Sequence, residues 1–151
     1  MSFTESENAF RVLLYYCFTH IDDPLEFANE HRELCLKLDL KGRVLVAHEG
    51  INGTVSGETA NTDAYMAALS IDPRFSGVEF KVDEAQCHAF RRMYVRVRDE
   101  IIALGYPLTS DKKVGMYLEP TEWREMMGRD DVVILDGRND YESAVGKFKG
   151  A

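Results

Sequence analysis

Residues 43–56 read Arg-Val-Leu-Val-Ala-His-Glu-Gly-Ile-Asn-Gly-Thr-Val-Ser. An apolar run at 43–47 gives way to a short stretch, 48–54, with two glycines and an Asn-Gly pair; a further strand follows through Ser56. Glycine and Asn-Gly suit the positive-φ backbone that joins neighbouring strands. The stretch therefore predicts two successive strands with a glycine-bearing connection at 48–54.

Upstream, residues 11–18 form a short apolar run rich in aromatics, as expected of a strand buried on both faces. Asp22-Asp23-Pro24 suits a helix start, and Leu25, Ala28, His31, Leu34, Cys35 and Leu38 then recur at helical spacing until Gly42 breaks the pattern. Downstream, residues 59–70 predict a second helix with Tyr65, Ala68 and Leu69 inward, ended by Pro73 and Gly77. Residues 78–83 alternate, with Val78, Phe80 and Val82 on one face and Glu79, Lys81 and Asp83 on the other. Strand, helix, two strands, helix, strand is the α+β, ferredoxin-like (acylphosphatase-like) arrangement: an antiparallel sheet with two helices on one face.

A further strand, roughly 91–98, extends that sheet, so the expected domain is 1–98. Residues 99–118, punctuated by Gly105, Pro107 and Gly115, predict a helical turn and connector. Residues 119–151 begin a second unit, with a helix at 120–127, a strand at 132–135 and loop from Asn139 onward. It has too few residues to enclose a core of its own.

The chain has 151 residues, 45% apolar and 29% charged, with a formal net charge of -8. A large multidomain enzyme is excluded, and no apolar run is long enough to span a bilayer. The acidic balance argues against coating nucleic acid by bulk electrostatics, although 71–118 is less acidic than its flanks and leaves room for a local basic patch. The three cysteines, Cys17, Cys35 and Cys87, form no Cys-x-x-Cys pair and predict reduced, buried thiols in a cytoplasmic protein. The first residues show no secretory signal.

Arg91-Arg92-Met93-Tyr94-Val95-Arg96-Val97-Arg98 carries four arginines in eight residues and no acid. Side chains alternate along a strand, so Met93, Val95 and Val97 face the core while Arg92, Tyr94, Arg96 and Arg98 project together. Arginines beside an aromatic ring offer phosphate contacts and a stacking surface for RNA bases. A solvated face balanced by neighbouring acids is the bland alternative. Lys81, on the polar face of the preceding strand, would enlarge the patch.

Glu49, Asn52 and Gly53 admit two readings, a connection built for geometry or an interface or ligand loop. His20, Asp22, Asp23, His48 and Glu49 match no metal-ligand spacing, so no metal site is expected. Cys87-His88 is a poor nucleophile pair, because adjacent strand residues point to opposite faces.

Three segments together, 47–57, 90–100 and 114–123, resemble the rhodanese-related family of bacterial tRNA uridine hydroxylases, over nearly the whole chain from about Arg11 to Ala151. In that family an amino-terminal ferredoxin-like domain precedes a rhodanese-like domain, and the enzyme performs oxygen-dependent 5-hydroxylation of the tRNA wobble uridine. The resemblance implies a tRNA partner, molecular oxygen as co-substrate with no other cofactor apparent, and association with the rest of a rhodanese domain. Asp136, Arg138 and Glu142 look like that domain's opening motif, with Gly137 in place of a larger residue. The family's essential cysteine lies beyond Ala151 and matches none of the three here, so no catalytic residue is expected in this chain.

A rhodanese-type sulfurtransferase fragment, and a non-catalytic domain that positions the rhodanese unit, stand as alternatives. An acylphosphatase is rejected, since residues 19–24 after the first strand are acidic and lack the arginine of a phosphate loop.

Overall fold

A computed structural model describes residues 9–102, 105, 115–116 and 118–151. The chain divides into two compact units, Met1–Lys112 and Lys113–Ala151. Of the expected connector, residues 103–104, 106–114 and 117 lie outside the described residues.

The first unit runs β1 (Phe10–Phe18), α1 (Pro24–Lys37), β2 (Lys41–Ala47), β3 (Gly50–Glu58), α2 (Thr59–Ile71), β4 (Lys81–Ala85) and β5 (Met93–Val97). The strands form one open sheet in the order β4-β1-β3-β2-β5. The first four are antiparallel neighbours, as the ferredoxin-like order requires, and β5 adds to the outer edge of β2 in parallel. Asp23 starts α1 by accepting from the backbone N–H of Leu25 and Glu26 at 3.0 and 2.9 Å, which satisfies donors the helix cannot.

Alternate residues of each strand face the two helices. Leu13 and Tyr15 of β1, Val44 and Val46 of β2, and Ile51 and Val55 of β3 are buried there with Phe27, Cys35, Tyr65, Leu69 and Phe75. The layer also holds a polar chain: the hydroxyls of Tyr15 and Tyr65 hydrogen-bond, and Tyr65 meets His31 Nε2 at 2.8 Å. Burial drives the His31 pKa down to about 4 and pushes the Cys35 thiol up to about 12.

Several expectations are corrected. The turn between β2 and β3 is His48-Glu49, while Asn52 and Gly53 lie inside β3. Gly53 serves close approach, since a Cβ there would sit 2.4 Å from the Tyr15 ring, its cross-strand neighbour. In α1, Phe27 is buried and Leu25 is turned outward. β4 starts at Lys81; Val78 and Phe80 reach the core from the segment before it, whereas Val82, on an edge strand, stays exposed. Cys35 is buried, but Cys17 is half-buried and Cys87 is exposed on the β4–β5 connection.

The second unit contains α3 (Pro120–Met127) and α4 (Asp140–Val145). Residues 132–135 pair with no strand among the described residues, and without a neighbour to bond their backbone they form no strand. Asp140–Val145 is helical rather than loop, while 146–151 is irregular: Glu142 Oε2 accepts from the Asn139 backbone N–H at 3.1 Å, one half of a capping box. No helix among the described residues is long and apolar enough to cross a membrane.

Candidate nucleic-acid interface

The sheet face away from the helices carries the other half of each strand. The pairing register sets Lys81, Leu14, Thr54, Arg43 and Tyr94 in one row across it, and Tyr16, Asn52, Leu45 and Arg96 in the next. Two connecting segments cross this face. The β4–β5 connection passes over Ser56, whose Oγ accepts from the Ala89 N–H at 2.9 Å, while His88 packs on Phe10 with ring centroids 4.9 Å apart. The segment after β5 is fixed at Ile101, whose N–H donates to Glu49 Oε1 at 2.8 Å and whose carbonyl accepts from Asn52 Nδ2 at 3.0 Å. Between the two runs a band of bare sheet on which Leu14, Tyr16 and Tyr94 remain 44%, 47% and 43% exposed.

Arg92, Tyr94, Arg96 and Arg98 fall on one side of the β5 edge. The Arg92 carbonyl accepts from Gly42 N–H and the Arg98 N–H donates to the Val46 carbonyl, so the extended pairing continues one residue beyond each end of β5. Met93 and Val95 pack into the core behind them, while Val97 faces the same way but stays largely exposed. The Arg96 guanidinium lies 5.5 Å from the Tyr94 ring centroid. Among the described residues, none of Arg43, Arg91, Arg92, Arg96 and Arg98 forms an ion pair with a carboxylate. Lys81 shares the face but stands on the opposite edge, four strand spacings or roughly 19 Å from Tyr94.

Sequence reasoning missed Arg43, which β2 places directly beside Tyr94. Its outward direction was legible from the alternation Arg43-Val44-Leu45-Val46; its neighbour was not, because β2 and β5 are far apart in the chain. With Gly42, Phe90, Arg91, Arg92 and Tyr94 it lines a recess of about 310 Å³. A larger hollow, about 630 Å³, lies in the second unit by Trp123, Leu135 and Phe148. The charged pair in its wall is already engaged: Arg138 Nη2 meets Asp136 Oδ2 at 2.8 Å and the Gly146 carbonyl at 2.7 Å. That guanidinium holds the Asp136 carboxyl well below the usual carboxylate range.

The remaining sites resolve into local contacts. Glu49 and Asn52 bond Ile101 as above. His20 Nε2 meets Asp22 Oδ1 at 3.0 Å and His48 Nδ1 meets the Ile21 carbonyl at 2.9 Å. The His88 Nδ1 meets the Ser56 carbonyl at 3.2 Å and the ring packs edge-on against Phe10, away from any role as base for Cys87.

Residues 10–101 match the family described as the UPF0176 acylphosphatase like domain. A Bacillus licheniformis protein named tRNA uridine(34) hydroxylase is 50% identical over 147 residues, 96% of this chain and 46% of its own length. One of the same name from Bacillus cereus is 53% identical over 144 residues, 94% of this chain and 45% of its own. The chain thus spans about half the length of these relatives. Among solved structures, BlrB, a BLUF protein in its dark state, aligns with a TM-score of 0.50 at 19% identity, over 60% of this chain and 73% of that one. The BlrP1 BLUF structure gives 0.50 and 19% over 60% and 65%. These likenesses concern the fold.

Proposed function

From the premise that the chain belongs to the UPF0176 acylphosphatase-like domain family, we propose that it is the tRNA-binding part of an enzyme that hydroxylates the tRNA wobble uridine with molecular oxygen. The observation that carries this reading is the bare band of sheet at the β5 edge. It joins an exposed tyrosine to arginines that no carboxylate among the described residues pairs with, in a chain whose net charge is -8. Such arginines are free to displace counterions from a phosphate backbone, and the ring offers a surface to an unstacked base.

Oxidation itself is proposed to rest with the part of the longer relatives that this chain does not span. The thiols here suit it poorly: Cys35 is buried with its pKa pushed up, burial also raises Cys17, and Cys87 has its neighbouring imidazole turned away. The contribution of this chain is to bind and orient the RNA. The test is equilibrium binding of tRNA to Arg96→Glu/Arg98→Glu across a salt series. Affinity is expected to fall and the salt dependence to flatten; binding and slope equal to the wild type overturn the reading.

A further inference from the structure

The recess beside Tyr94 differs from the rest of the band. Arg43 reaches it from β2, Arg92 and Tyr94 from the β5 edge, and Phe90 and Arg91 from the connection that crosses the sheet. Three arginines and two aromatic residues thus border about 310 Å³, near the lower end of the roughly 300 to 1,000 Å³ typical of small-molecule sites. Phe90 is half-buried in the wall, and Arg91 and Arg92 are exposed at the rim.

We propose that this recess is a subsite for one unpaired nucleotide, its base against the aromatic rings and its phosphate held by Arg43, Arg91 and Arg92. The inference rests on the RNA-binding reading and specifies it: the strand entering the band is single, with at least one base turned out of its stack. Charge selects the ligand, because three cations without a carboxylate partner among the described residues fit an anionic one. The rings select a nucleotide over a bare anion, since every base offers a face to stack. Duplex RNA keeps its bases paired and inward and cannot fill the recess.

The experiment measures binding of the full 151-residue chain to a fluorescent seven-nucleotide single-stranded RNA and to a blunt duplex of the same length. Arg91→Ala is the principal variant, because Arg91 is exposed and packs into no core. The single strand is expected to bind at least about tenfold tighter than the duplex, and Arg91→Ala and Arg43→Ala each to weaken it by about tenfold. Uridine monophosphate should compete at millimolar concentration, and inorganic phosphate at the same concentration should not. Equal competition by phosphate reduces the recess to an anion site and overturns the nucleotide assignment. Wild-type affinity in both arginine variants, with Arg96→Glu/Arg98→Glu still impaired, overturns the subsite and leaves the RNA-binding reading standing. If neither RNA binds, both fall.

Discussion

The same five strands write both faces of the sheet, and the faces differ in what they leave unsatisfied. Toward the helices, Tyr15, Tyr65 and His31 bond one another and every described buried side-chain polar atom has a partner. On the other face, arginines and a half-exposed tyrosine stand with no ion pair to a carboxylate among the described residues. A polar group buried without a partner costs folding free energy, so the first face is closed by hydrogen bonds. Polar groups left in water cost little, so the second face is free to be used for binding. Substitutions on the two faces should therefore separate stability from binding.

The largest effect is expected at Gly53. A branched side chain in Gly53→Val has to displace the Tyr15 ring and should cost about 3 kcal/mol or more. Urea unfolding followed by tyrosine near-UV dichroism checks it, and an unchanged midpoint would mean the ring is not held as described.

Next is acid. His31 titrates near 4 when folded against 6.5 in the unfolded chain, so the unfolded state binds more protons between those values. The contribution is whole above pH about 6.5 and drains by about 3 kcal/mol as the pH falls to about 4. His31→Gln should flatten that slope in the same unfolding assay.

Smaller again is Tyr65→Phe, which strands His31 Nε2 and the Tyr15 hydroxyl and should cost about 1 to 3 kcal/mol while leaving RNA affinity alone. The converse is Tyr94→Ala. Stability should move by about 0.5 kcal/mol or less, while single-stranded RNA affinity falls by about 5- to 150-fold, the equivalent of about 1 to 3 kcal/mol. A Tyr94 variant that unfolds easily would erase the distinction between the faces.

The smallest effect concerns the second unit. Gly137 has no positive φ and a Cβ there meets nothing within 4 Å. Gly137→Ala should stabilise that unit by about 0.4 to 1 kcal/mol through the unfolded chain, read by the fluorescence of Trp123, the single tryptophan.

What was legible in the sequence was what depends on near neighbours. The 91–98 alternation placed Met93, Val95 and Val97 inward and Arg92, Tyr94, Arg96 and Arg98 outward, because period two is a property of the strand itself, though Val97 stays 42% exposed. Pairing between distant segments was not legible, and Arg43 beside Tyr94 is the clearest case. At Asn52-Gly53 a local turn rule lost to packing, since the space over Gly53 belongs to Tyr15. At 132–135 an apolar run was not sufficient for a strand. At Asn139 a usable signal was passed over, for Asn-x-x-Glu is the spacing of a capping box.

Amide chemical-shift mapping of the chain during titration with tRNA tests the central claim most directly. Shifts confined to the bare band, at Leu14, Thr54, Arg43, Tyr94 and Arg96, with α1 and α2 silent, are the predicted result. Shifts centred on the outer surfaces of α1 and α2, with the band unmoved, would contradict it.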